Sequence, residues 1–273
     1  MIEMIDLFNH AFVWKAVIAG SFIAVLCSTL GVFLVLRRLS LIGDGLAHVT
    51  FGGIAVGLLF KSSPIYVALP VVMLSSIGIL KLIEKARLYG DAAIGIVSSL
   101  GIASGVLMAS VAGGFNVDLF SYLFGNILSI SIEEVIASIV LSVALVTVIL
   151  LFYQELLLVT FDEESARASG VNTKRINTIL VLLTALTVVL AIKMVGIMLV
   201  SALLIIPSVT AQQMARSFRS TIFMASIVGA LSVVMGICIS FTVDLPTGAT
   251  IVILNIFFFV AVFSYKNLSK KIG

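Results

Sequence analysis

Long apolar stretches alternate with short polar segments along the whole chain. A helix needs roughly 20 apolar residues to cross a hydrocarbon core about 30 Å thick, because it rises about 1.5 Å per residue. Nine stretches meet this requirement: Val13–Leu36, Leu41–Phe60, Pro64–Glu84, Asp91–Ala112, Ile132–Phe152, Ile176–Ile192, Val195–Gln213, Thr221–Phe241 and Thr247–Tyr265. Only Lys193 and Met194 separate the sixth from the seventh, so one of these two can be re-entrant. The pattern predicts an all-α, polytopic membrane protein with eight to nine transmembrane helices.

Composition supports a membrane environment. The chain is 61% hydrophobic and 11% charged, against about 45–50% and about 25% in soluble domains. Its net charge of +3 comes from Lys and Arg scattered between apolar stretches, a spacing typical of membrane topology and not of a nucleic-acid surface. We therefore expect the lipid bilayer, and no nucleic acid, as a partner.

The basic residues predict an orientation, because cytoplasmic loops of membrane proteins are enriched in Lys and Arg. With the amino terminus outside and nine spans, thirteen of the sixteen basic residues lie inside. They are Arg37, Arg38, Lys81, Lys85, Arg87, Arg167, Lys174, Arg175, Arg216, Arg219, Lys266, Lys270 and Lys271. The carboxyl terminus is then cytoplasmic.

Other features concern packing and domain organisation. Gly53 and Gly57, and likewise Gly101 and Gly105, lie four residues apart, a spacing that lets membrane helices approach closely. The segment 115–131 is too polar to cross and predicts an interfacial or partly re-entrant outer helix. No repeat or linker divides the chain, so residues 1–273 are expected to form a single transmembrane domain.

Asp44 and His48 are the most informative polar residues, because an acid at the centre of a membrane helix costs roughly 2.5–3.5 kcal/mol. They lie four residues apart at the start of the second span, so in a helix they share a face. A carboxylate and an imidazole provide half of a coordination shell for a first-row divalent metal. The alternative is that Asp44 caps the helix while His48 bonds a neighbouring carbonyl.

The segment 162–170 is a second candidate, in the longest hydrophilic stretch of the chain. Asp162 can cap a short helix with an acidic first turn, and Gly170 can end it in a left-handed conformation. Such a surface helix suits the binding of a cytoplasmic partner, although a connector without a partner fits the same pattern.

Signatures of several enzyme classes are absent. The sequence has no Gly-x-x-x-x-Gly-Lys-Ser/Thr motif for nucleotide phosphates, no His-Glu-x-x-His and no Gly-x-Ser-x-Gly. The chain is thus expected to be a non-enzymatic subunit, with any ATP hydrolysed by a separate one.

Three stretches together resemble a known family. RRLSLIGDGLAH at 37–48, VDLFSYLFG at 117–125 and VGIMLVSALLIIP at 195–207 are similar to recurrent stretches of ABC-type permeases that import zinc, manganese or iron with a metal-binding receptor. The similarity stays in register from about Gly20 to Gly248.

The resemblance implies a fold like that of vitamin B12 and siderophore permeases, in a bacterial inner membrane. It implies a homodimer with two cytoplasmic ATPase subunits and one external metal-binding receptor. No permanently bound cofactor is expected, and the transported divalent metal ion is the ligand. The metal ligands of the family correspond to Asp44 and His48.

The ATPase-coupling segment of the family corresponds to the stretch 162–170. Its expected coupling residues are Asp162, Glu163, Glu164, Ala166 and Gly170. Ser165 departs from the second Ala of the looser Glu-Ala-Ala-x-x-x-Gly pattern of import permeases.

The identity of the cargo is the least determined feature. The motif at 43–48 and the stretch at 117–125 look closer to zinc-uptake members, whereas manganese members tend toward Ile-Ser-His. The ligands themselves accept either ion. Two alternatives remain open: a permease for a chelated metal, siderophore or cobalamin, and an intramembrane enzyme or ion-coupled carrier that acts alone.

Overall fold

The computed structural model describes residues 11–111, 125 and 130–272, and all regular structure in these ranges is α-helical. The helices are α1 (Ala11–Leu36), α2 (Ile42–Leu59), α3 (Pro64–Ala86), α4 (Gly90–Val111), α5 (Ile132–Leu151), α6 (Tyr153–Phe161), α7 (Glu163–Ala168), α8 (Thr173–Met214), α9 (Phe218–Val243) and α10 (Thr247–Ile272).

Nine segments within the described residues are long and apolar enough to cross a membrane. Helix α8 supplies two of them, Thr173–Ile192 and Val195–Met214, and the short helices α6 and α7 supply none. The predicted all-α, multi-span architecture is therefore confirmed, with bounds that differ by a few residues. The predicted interfacial helix at 115–131 lies outside the described residues, apart from Gly125, Ile130 and Ser131.

Helices α1 and α9 run antiparallel along almost their whole length. Three contacts define this arrangement: Phe33 with Phe218 at 5.1 Å between ring centroids, Thr29 Oγ1 with Ser226 Oγ at 3.2 Å, and Phe12 with Phe241 at 5.6 Å. The end of α1 and the start of α9 therefore lie at the same end of the bundle.

Basic residues gather at this end, which we call the basic end. They are Arg37 and Arg38 after α1, Arg167 in α7, Lys174 and Arg175 in the first turn of α8, and Arg216 and Arg219 around the start of α9. The charge asymmetry found in the sequence thus becomes an asymmetry of the bundle, while the membrane face to which this end belongs stays a prediction.

Helix α8 starts and ends at the basic end. Near its start, Asn177 accepts a hydrogen bond from Arg37, and its last residues lead to Phe218, which packs on Phe33.

A straight helix of this length would extend about 63 Å, roughly twice the hydrocarbon thickness. The backbone leaves the helical region at Gly196, with φ 80° and ψ 166°, in a region that favours glycine. The break between the two spans is thus at Gly196, beyond the Lys193–Met194 pair that the sequence placed between them.

Helix α2 passes through the interior of the bundle, because its glycines allow backbones to touch. A methyl group on Gly52 would lie 2.6 Å from the Gly101 carbonyl oxygen of α4, and one on Gly53 would lie 2.7 Å from the Ala68 Cα of α3. A methyl group on Gly57 would likewise lie 2.7 Å from the Pro64 Cα. The close packing that the sequence predicted for Gly53, Gly57 and Gly101 is confirmed.

The outer helices present large apolar side chains away from the bundle. Representative exposed residues are Leu74, Leu107, Val140, Phe223 and Phe257. An apolar surface of this extent is unfavourable in water, and it matches the hydrocarbon of a bilayer as its solvent.

We expect Gly101→Ala to lower the free energy of unfolding by about 1–3 kcal/mol, since the new methyl group has no room. It would lie 2.7 Å from the Val49 Cα in α2. Gly95→Ala is the matched control in the same helix, because nothing lies within 4 Å of its methyl position. Thermal melting of the purified protein in detergent measures both variants, and equal losses would contradict the packing described here.

Candidate functional site

Asp44 lies in the first turn of α2, where the partial positive charge of the helix terminus stabilises an acid. His48 follows one turn later, and its Nε2 lies 3.5 Å from Asp44 Oδ2. The N-cap position of the helix is occupied by Leu41 and not by Asp44, and the helix start has no side-chain cap. The carboxylate thus faces the imidazole and does not cap the helix, and the shared face predicted from the spacing is present.

Ser201 completes the immediate surroundings of Asp44. It lies in the second span of α8, and its hydroxyl donates a hydrogen bond of 3.3 Å to Asp44 Oδ1. Each carboxylate oxygen therefore has a different neighbour, the imidazole on one side and the hydroxyl on the other. This arrangement fixes the orientation of the carboxylate.

Only one stripe of the first half of α2 is open. Between Ile42 and Ala55 the residues that keep some exposure are Asp44, His48 and Phe51, which follow helical spacing along one side. The side chains of Asp44 and His48 are 48% and 33% exposed. The two polar groups therefore lie on the side of α2 that the described part of the chain leaves partly open.

The ligand set in one chain is incomplete for a resident metal. Within the described residues, no group of three or more His, Cys, Asp or Glu side chains is arranged to hold an ion. A single carboxylate and a single imidazole bind a divalent ion weakly. Weak binding suits an ion that must leave again, and a tight site requires ligands from elsewhere.

Helix α7 forms the second candidate site, at the basic end. Asp162 accepts a hydrogen bond of 3.0 Å from the Ser165 backbone N–H, and the Ser165 hydroxyl also donates to its carboxylate. These bonds lower the pKa of Asp162, the hydroxyl bond having the largest effect. Gly170 follows the helix with φ 86°. The cap and the helix end predicted from the sequence are both confirmed.

The two faces of this short helix differ. Ala166 is buried, whereas Asp162, Glu164 and Gly170 are exposed. The buried methyl holds the helix against the bundle and leaves the acidic residues free for contact. Ser165, which departs from the import-permease pattern, strengthens the cap through its hydroxyl.

The sequence alone did not identify three polar residues near these sites. Ser201 is an ordinary hydroxyl in an apolar stretch, and Arg37 counted only as a topological charge. Asn177 is 4% exposed and accepts a hydrogen bond of 2.7 Å from Arg37 Nη2. Their positions could have pointed to them, because Arg37 begins the first stretch that resembles the permease family, at 37–48, and Ser201 lies in the third, at 195–207.

The sequence is similar to membrane proteins of one transport family. Residues 9–266 match the model of a family described as the ABC 3 transport family. The manganese transport system membrane protein MntC of Listeria monocytogenes is 33% identical over 96% of this chain and 93% of its own length. The high-affinity zinc uptake system membrane protein ZnuB of Haemophilus influenzae is 31% identical over 90% and 95%.

Solved structures agree on the fold. PsaBC from Streptococcus pneumoniae, determined in complex with Fab, superposes with a TM-score of 0.85 at 32% identity and covers 96% of this chain and 95% of its own. A metal-chelate-type ABC transporter in an inward-facing conformation superposes with a TM-score of 0.71 at 17% identity, over 97% and 90%. The second likeness concerns the fold alone.

We expect Asp162→Ala to speed hydrogen exchange at the Ser165 amide, because the acceptor of that amide is lost. Asp162→Ser keeps a capping oxygen and is the control. In the unmodified protein the cap is present at neutral pH and is lost as the pH falls through the lowered pKa of Asp162. Exchange measured by mass spectrometry from neutral to acidic pH tests both statements, and unchanged protection in Asp162→Ala contradicts them.

Proposed function

This chain belongs to the ABC 3 transport family, and from this premise we propose that it is the permease subunit of an ATP-driven importer of a divalent metal ion. Its 273 residues would form a single transmembrane domain. The observation that carries the proposal is the pair Asp44 and His48, 3.5 Å apart on the open stripe in the first half of a largely buried membrane helix.

A homodimer completes the proposed metal site. One chain offers one carboxylate and one imidazole, and two copies related by a twofold axis would offer two of each. Four such ligands match the coordination number that zinc prefers and leave room for water at a larger ion. The partial exposure of Asp44 and His48 in the described part of one chain supports this arrangement, because a second copy facing them would enclose a passage.

In the proposed importer, a separate protein hydrolyses the ATP. The chain has no Gly-Lys pair and so lacks a P-loop lysine. Each of two cytoplasmic ATPase subunits would bind α7 and its flanking residues in one protomer, at Asp162, Glu163, Glu164 and Gly170, with Ala166 anchoring the helix. The basic end would then be cytoplasmic, and an external receptor would deliver the ion at the opposite end.

The proposed mechanism is alternating access in the bacterial inner membrane. The receptor delivers the ion to the passage between two protomers, and Asp44 and His48 hold it briefly. The Ser201 hydroxyl keeps the carboxylate oriented toward the passage. ATP-driven closure of the ATPase subunits then moves the ion inward, toward the basic end.

The proposed cargo is zinc or manganese. Relatives named for either metal match nearly the whole chain at 31–33% identity, and the zinc preference suggested by the motif at 43–48 stays a prediction. Uptake of each ion by a strain lacking its own importers, with the other ion as competitor, identifies the cargo. Metal-stimulated ATP hydrolysis in vesicles distinguishes an importer from a carrier that acts alone.

We expect Asp44→Ala and His48→Ala each to reduce metal uptake to background, because each removes half of the ligands that a protomer supplies. Ser201→Ala removes only an orienting hydrogen bond, and we expect a loss of about tenfold. Metal uptake is measured per amount of protein in the membrane, determined by immunoblot.

Asp244→Asn is the matched control for these variants. It neutralises an acid at the end of α9, and asparagine tolerates its left-handed backbone of φ 57°. Uptake by this variant should be unchanged. Full uptake by Asp44→Ala and His48→Ala, with normal protein levels, would refute the site assignment.

A further inference from the structure

Arg37 is the most deeply placed cation at the basic end of the described bundle. It directly follows α1, and its side chain is only 11% exposed. Burial lowers the pKa of its guanidinium, and the negative charge of Glu163 acts in the opposite direction. A cation in such a place is costly unless it is paired and hydrogen-bonded, so its partners identify what it holds together.

The partners of Arg37 lie on two other helices. Its Nη2 donates a hydrogen bond of 2.7 Å to Asn177 Oδ1 near the start of α8, and the same nitrogen lies 3.8 Å from Glu163 Oε2 in the first turn of α7. Glu163 also pairs with Arg167 through its other oxygen, at 3.3 Å. One guanidinium therefore joins α1, α7 and α8 at a single point.

A closed turn connects Arg37 with the first turn of α2. The Leu39 N–H donates to the Leu34 carbonyl at 2.8 Å, and the Ile42 N–H donates to the Leu39 carbonyl at 3.0 Å. Arg38 adopts φ 57°, which reverses the chain between these bonds. The corner is thus tied to both helices, and Asp44 follows Arg37 by seven residues with no loose loop between them.

We propose that Arg37 is the positioning residue that links α7 to the Asp44–His48 stripe, with Asn177 fixing its direction. This inference rests on the proposed function, because it assigns a route between the ATPase-binding helix and the metal site. The guanidinium suits the task, since it keeps its charge where it is buried and its Nη2 reaches both partners at once.

The test uses the importer purified with its ATPase subunits and reconstituted with its receptor in proteoliposomes. The readout is the number of Mn²⁺ or Zn²⁺ ions transported per ATP hydrolysed, together with the thermal stability of the complex. We expect Arg37→Gln to lower this ratio by about tenfold or more while ATP hydrolysis continues. A purely structural role would lower stability and leave the ratio unchanged, which would overturn the proposal.

The variant Glu163→Gln keeps the test decisive if Arg37→Gln does not fold, because the Glu163 side chain is 40% exposed and tolerates change. We expect it to lower the ratio, by less than tenfold because the bond between Arg37 and Asn177 persists, and an unchanged ratio in a stable Glu163→Gln variant would overturn the proposal. The double variant should be no worse than Arg37→Gln alone if the two residues act through each other. Multiplicative losses would mean that Glu163 acts only on the ATPase, and they would overturn the proposal.

Arg38→Gln is the matched control, because it removes the neighbouring charge, which is exposed. Its transport ratio should equal that of the unmodified protein. Loss of transport in Asp44→Ala and His48→Ala, combined with an unchanged ratio in Arg37→Gln, would reject this inference alone. Retained transport in Asp44→Ala and His48→Ala would reject the proposed site itself.

Discussion

The contact between backbones on either side of α2 is the constraint on which the rest of the structure depends. Glycines in α2 and α4 leave no room for a methyl group between the two helices, and Gly53 meets α3 with equal closeness. In a membrane, where apolar side chains gain little from leaving lipid, such close contact is a main source of helix association. It also decides which side of α2 remains open, and Asp44 and His48 occupy that side.

The placement of polar groups follows from the same packing constraint. An acid and an imidazole in a membrane helix are tolerated when they face each other and a further donor. Here the imidazole and the Ser201 hydroxyl take one carboxylate oxygen each. The pair is thus oriented but not saturated, a state that suits transient binding of a cargo ion better than permanent coordination.

At the basic end, polar contacts replace glycine contacts as the links between helices. Arg37 joins three helices, and the Asp162 cap holds the short helix α7 in place. Glu163 of α7 and the buried Arg37 therefore belong to one polar network. Helix α7 is thus joined to the bundle both by these polar contacts and by the packing of Ala166.

The sequence by itself determined the features that depend on local physics. Hydrocarbon thickness sets the length of a span, so the bounds of the spans were readable within a few residues, while their number was left at eight or nine. Helical periodicity placed Asp44 beside His48, and the chemistry of Asp162 and Gly170 predicted α7. Tertiary structure decided the rest: Ser201 lies 157 residues from Asp44, and Asn177 lies 140 from Arg37. No local period encodes such pairs, and the reversal at Gly196 depends on where two spans pack.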